Sequence, residues 1–203
     1  MEPEPNKSPV NTECEDHVPI HKRVIWGFGG AADNLILNGV NSLVLPIYNI
    51  GFGLDAVLVG IAQSIPRIID TVTDPLMGYI SDNTRSRWGR RRPYIFIGAL
   101  LTALIFIFLW NPPTQLLNTK GLFVYLLVGL ILYYLAYTVF AVPYTALGYD
   151  LTRDYNERTR VNAWRMYIGL AIGLTIPWLY KLCFVFGSPE SGELGGVRYV
   201  SLI

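Results

Sequence analysis

The chain has 203 residues, of which 52% are hydrophobic, 13% aromatic and only 15% charged. Sixteen Lys and Arg against fifteen Asp and Glu leave a formal charge of +1, so no bulk field draws in nucleic acid, and the apolar excess excludes a disordered chain. The mean hydropathy of +0.36, with charge well below the quarter or so usual in soluble domains, points to a membrane protein.

Residues 1–21 are polar. The opening Met1-Glu2-Pro3-Glu4-Pro5 is acidic and lacks the apolar core of a cleaved signal peptide, so a disordered cytoplasmic tail is expected there. Five apolar stretches follow, from Val24 to about Ile47, Ala56 to Ile80, Tyr94 to Trp110, Gly121 to Leu147 and Asn162 to Phe186. A sixth starts at 198–203. Each of the five is long enough to cross a bilayer as a helix, which satisfies its own backbone hydrogen bonds where lipid cannot. None alternates as a barrel strand would. The expectation is an all-α, polytopic bundle over 22–203. Cys14 and Cys183 form no disulfide framework and no metal-ligand spacing.

The basic residues sort between the connections. Lys22 and Arg23 precede the first span, Arg85 to Arg92 lie between the second and third, and Arg153, Arg158 and Arg160 lie between the fourth and fifth. The other connections hold one lysine, Lys120. The positive-inside rule therefore places the N-terminus and both Arg-rich loops in the cytoplasm.

The second span carries Arg67, Asp70 and Asp74 at i, i+3 and i+7, all on one face. Unpaired in lipid, three such charges would cost about 8–10 kcal/mol together. The face must meet partner helices or water. Pro66 and Pro75 bracket it and can free backbone carbonyls. One arginine beside two carboxylates leaves a surplus negative charge. That surplus suits a cation or proton, and the bland alternative is an ion-pair knot that only fixes packing.

In the first span Asn34, Asn38 and Asn41 line one face with Asp33 at its flank. Amides donate and accept at once, which suits a hydroxyl-rich ligand, but they serve equally as interhelical glue. In the fourth span Tyr134, Thr138, Ala141 and Thr145 recur at helical spacing. Thr138 lies at the depth of Asp74, where its hydroxyl either completes an oxygen shell for a small cation or bonds its own helix. Arg165 in the fifth span either snorkels to the cytoplasmic interface or faces Asp70 and Asp74. Gly169 and Gly173 form a GxxxG suited to close helix packing.

The run from Arg67 through Asp70, Asp74-Pro75, Gly78 and Asp82 to Arg87-Trp88-Gly89-Arg90-Arg91-Arg92-Pro93 resembles the glycoside–pentoside–hexuronide:cation symporters, the group of the melibiose permease in the major facilitator superfamily. So do Val142-Pro143-Tyr144, the segment Leu151 to Arg160, and Arg165; the opening Gly27-Phe28-Gly29 also fits. The resemblance covers about residues 24–203. It implies the N-terminal half of a twelve-helix carrier, with the C-terminal half missing. It further implies that Asp70, Asp74 and Thr138 hold the coupling cation, sodium or proton, with no other cofactor. Arg165 would bind sugar with Asn38 and with Asn34 or, after a one-residue shift, Asp33. Arg67, Asp82, Arg90, Arg91 and Arg92 would form a charge network and cytoplasmic lock. Ala141 and Thr145 stand where the sugar permease has an aspartate and an aromatic, which removes a carboxylate and a stacking platform.

The resulting expectation is cation-coupled transport of a sugar or glycoside by a multi-pass membrane protein, not an enzyme. Three rivals have features in the sequence. A proton-coupled sucrose-type carrier shares the Gly-Arg-Arg-Arg-Pro loop. A sugar sensor that keeps the fold without transport fits the missing carboxylate at Ala141. A membrane prenyltransferase needs a second Asp-rich loop, and none is present.

Overall fold

The structure, a computed structural model, describes residues 18–113, 117–152, 154–178 and 181. Most of the expected tail, Arg153, the end of the fifth span and the start of the sixth lie outside the described residues. The described chain forms five helices and no strand: α1 (Ile20–Pro46), α2 (Ala56–Asn83), α3 (Arg92–Leu109), α4 (Thr119–Tyr149) and α5 (Tyr155–Gly173). A π-helical turn, Ile47–Gly51, ends α1.

Local chemistry sets the boundaries. Asp55 caps α2 by accepting the Val57 amide at 2.7 Å, and Asp154 caps α5 by accepting from Asn156 and Glu157. Pro93 sits in the first turn of α3, where a missing N–H costs nothing. The helix α2 runs through Pro66 and Pro75, and α4 through Pro143.

Three boundaries differ from the sequence expectation. The helix α1 starts at Ile20, inside the expected tail, and Val18 is buried. Its amide donates to Glu157 on α5, which anchors the chain before the apolar run begins. The helix α5 starts at Tyr155 rather than Asn162, because the Asp154 cap outranks hydropathy as a start signal. It breaks at Leu174–Thr175 and turns helical again at 176–178.

Among the described residues, α2, α3 and α4 are the helices both long and apolar enough to cross a membrane by composition. The helices α1 and α5 fall short because they carry the polar residues of the site described below. On α3, Phe96, Leu100, Leu104 and Phe108 recur every four residues and are exposed, an apolar stripe suited to lipid.

The bundle is built from close pairs, α1 with α5 and α4 with both α2 and α3. Glycines permit the approach. A Cβ on Gly98 would fall 2.5 Å from the Phe140 amide nitrogen. On α5, a Cβ at Gly173 would lie 3.0 Å from Asn34 Oδ1, a tight approach to α1, whereas one at Gly169 would meet the Gly30 carbonyl at an ordinary 3.4 Å, so of the GxxxG pair Gly173 marks the closer seam. One core cluster gathers Val40, Val44, Leu54, Leu126, Leu130 and Tyr133. The other, near the Arg-rich end, holds Trp26, Phe140, Tyr144 and Val161.

Candidate functional site

The α1–α5 seam opens into a cleft of about 490 Å³ lined by Gly30, Asp33, Asn34, Arg165 and Gly169 among others. An adjoining cavity of about 590 Å³ shares Asn34 and adds Asn38, Ser42 and Gly173. From α1 the first hollow thus takes the Asp33 carboxylate and the Asn34 amide, and the second the Asn34 and Asn38 amides and the Ser42 hydroxyl.

Asp33 sits at the middle of α1 and binds Arg165 Nη2 through Oδ2 at 2.6 Å. Its Oδ1 accepts from the Tyr137 hydroxyl at 2.7 Å. The Arg165 guanidinium lies 5.2 Å from the Tyr144 ring centroid, a cation–π distance. Tyr144 is fixed in turn by its hydroxyl bond to the Trp26 carbonyl (2.7 Å) and by stacking on the Trp26 indole (4.1 Å). This corrects one expectation. Arg165 neither snorkels nor faces Asp70 and Asp74; its counter-ion is Asp33 on the helix packed against it. The one-residue ambiguity on α1 also acquires content, since Asp33 takes the ion pair and Asn34 lines both cavities. The aromatic missing at Thr145 has a neighbour, Tyr144, that supplies a ring beside the arginine.

On α2, Asp70 and Asp74 share a face directed at α4. The Thr138 hydroxyl is buried and donates to Asp74 Oδ1 at 3.0 Å, so it does not merely bond its own helix. Asp70 Oδ1 is buried without a hydrogen-bond partner. Arg67 forms no ion pair with either carboxylate. Its Nη2 reaches Asn41 Oδ1 at 3.3 Å. The ion-pair knot, the alternative reading of this face, is therefore absent among the described residues, and two carboxylates still face one arginine. Asn41 is turned to α2 and α4, not to the cavities; its Oδ1 also accepts from the Tyr134 hydroxyl at 2.8 Å.

The charge network divides. Arg91 Nη2 binds Asp82 Oδ1 at 2.6 Å, and its Nη1 binds Asp150 at the end of α4. One arginine so ties α2, α3 and α4 at the Arg-rich end. Arg90 and Arg92 are exposed and lie outside that tie, and Arg67 is remote from it. Sequence reasoning missed two acids. Asp150 follows α4 amid basic loops, a signal available to a search for counter-ions. Glu157 is buried and binds both Arg23 (2.6 Å) and Arg160 (2.9 Å), fastening α1 to α5.

The described arrangement is a largely apolar cleft with an ion pair in its wall, and on α2 a carboxylate pair that makes no salt bridge among the described residues. Comparison with known proteins gives it a context. A family model described as MFS/sugar transport protein matches residues 25–198. The chain belongs to this family.

Its relatives are the glycoside–pentoside–hexuronide:cation symporters expected from the motifs. The inner membrane symporter YicJ of Escherichia coli is 31% identical over 187 residues, covering 91% of this chain and 40% of that protein. The symporter sll1374 of Synechocystis is 38% identical over 152 residues, 70% of this chain and 28% of that protein. The isoprimeverose transporter of Lactiplantibacillus pentosus is 28% identical over 204 residues, all of this chain and 42% of that protein. The chain thus spans about two-fifths or less of these relatives' length. Family membership makes it an integral membrane protein of a transporter class, not an enzyme.

Proposed function

We propose that the chain forms the N-terminal half-bundle of a carrier that couples uptake of a sugar or glycoside to a monovalent cation. Asp33, Asn34, Asn38 and Arg165 bind the substrate hydroxyls in the α1–α5 cleft. Asp70 and Asp74, with Thr138, take the sodium ion or proton. The remaining half of the carrier closes the cavity, and rocking of the halves alternates access. The Arg-rich loops lie in the cytoplasm, where Arg91 fastens the closed end of the half-bundle through Asp82 and Asp150.

The observation that carries this reading is the carboxylate pair. Two aspartates lie one turn apart on α2, Asp74 exposed and bonded by the α4 threonine, Asp70 partly buried with an unpartnered buried oxygen. A site that is negative and under-coordinated favours a bound positive charge, and binding there biases the conformational equilibrium. The second support is a cleft in which Asp33, Asn34 and Arg165 bring hydrogen-bond donors and acceptors to an otherwise largely apolar wall, as sugar sites do.

The test is uptake of radiolabelled methyl glycosides and disaccharides into proteoliposomes holding the protein at its native length. Wild type should be stimulated by an inward sodium or proton gradient. The Asp74→Asn variant should lose that stimulation. Undiminished stimulation in Asp74→Asn would remove the cation site, and sugar binding without uptake would mark a sensor instead.

A further inference from the structure

We propose that Asn41 holds Arg67 away from the Asp70–Asp74 pair and so keeps that pair open to a metal cation. The inference rests on the cation-coupled reading above and adds a positioning residue to it.

The Asn41 amide is oriented from three sides. Its Nδ2 donates to the Leu37 carbonyl at 2.8 Å, which fixes the nitrogen toward its own helix. Its Oδ1 then faces α4 and α2, accepting from the Tyr134 hydroxyl at 2.8 Å and from Arg67 Nη2 at 3.3 Å. The Asn41 backbone carbonyl accepts from Gln63 Nε2 at 3.4 Å, so the main chain is tied to α2 as well. Besides Asn41, the Tyr134 hydroxyl is a side-chain partner of Arg67, and that hydroxyl is itself held by Asn41 Oδ1.

Arg67 has an obvious alternative. Asp70 is at i+3, within reach on the same helix, and its Oδ1 is buried and unpartnered. An arginine beside such a carboxylate ordinarily pairs with it. Here the guanidinium is drawn the other way, by a neutral acceptor on α1. Without that acceptor Arg67 falls back on Asp70. It then supplies the positive charge that a bound cation would supply, and the two compete.

The competition has a size. If Arg67 occupies Asp70 in nine molecules of ten, only a tenth are competent and the apparent cation affinity falls about tenfold.

The experiment is sodium- and lithium-dependent thermal stabilisation of the purified native-length protein, with choline chloride holding ionic strength. A ligand that binds the folded state raises Tm with its concentration, and no sugar is needed. The half-saturating sodium concentration should rise about tenfold in Asn41→Leu. In an Arg67→Gln background, the same Asn41→Leu change should shift it less than twofold. The near-isosteric Asn41→Asp, a stronger acceptor for Arg67, should leave it equal to wild type or lower.

A tenfold loss in Asn41→Leu that persists in the Arg67→Gln background would overturn the proposal and reduce Asn41 to packing. So would an unchanged midpoint in Asn41→Leu. Should Asn41→Leu fail to fold, a raised midpoint in Asn41→Asp overturns it equally. Absence of any sodium or lithium stabilisation in wild type would remove the cation site itself and this inference with it. Stabilisation of wild type with unmoved variants removes this inference alone.

Discussion

Thr138 offers a single hydroxyl, and its effect follows from what it touches. It is buried and donates to the Asp74 carboxylate. Hydrogen bonds to charged groups contribute about 1.5–3 kcal/mol, so losing this one should be felt in cation affinity rather than in folding alone. Thr138→Val, which keeps shape and removes the donor, should raise the half-saturating sodium concentration for uptake about tenfold. Thr138→Ser should restore most of the loss, and equal behaviour of the two variants would detach the hydroxyl from the site. Asp70, Asp74 and Thr138 were legible because charge in an apolar run demands an explanation and helical spacing says which residues share it. Asp33 and Asn34 were not separable, since one residue of register is a rotation of about 100° that only the packing of α5 resolves. Asn41 was legible as polar and illegible as an acceptor for Arg67. Its partners lie 26 and 93 residues away, and no local pattern encodes them.

Helices of this bundle are held by contact more than by propensity, and glycine marks the tightest seams. Gly98 on α3 meets the backbone of α4 at Phe140, which cannot rotate aside as a side chain can. Gly98→Ala should therefore part α3 from α4 and cost about 1–3 kcal/mol, read as a lowered Tm in detergent with Thr102→Ala as a neighbouring control. An unchanged Tm would mean that the seam is slack. The helices α2, α3 and α4 were legible within a few residues, because long apolar runs between basic loops admit little else. The starts of α1 and α5 were not. They are set by a polar cap and by the buried Glu157 that binds Arg23 and Arg160, and hydropathy is blind to both. The same blindness explains why α1 and α5 miss the composition threshold for a span: the polar face that makes them useful dilutes their average.

At the scale of the whole molecule, orientation is the largest open consequence of the charge pattern. With Cys14 and Cys183 replaced by serine, a cysteine at Asn111 should react with an impermeant maleimide on intact cells. One at Ser86 should react only after permeabilisation, and the reverse labelling would invert the topology. The pairing of α1 with α5 has a further consequence, in the time domain of synthesis. The counter-ion of Asp33 lies 132 residues downstream and the partner of Arg23 lies 134 downstream. At about 5–20 residues per second, the ribosome needs roughly 7–26 s to deliver α5 after α1 has emerged. During that interval Asp33 has no arginine, and an unpaired aspartate at mid-bilayer costs about 2.5–3.5 kcal/mol. The first helix made is therefore among the last to be settled in lipid, because its main partner, α5, is the last described helix to be delivered.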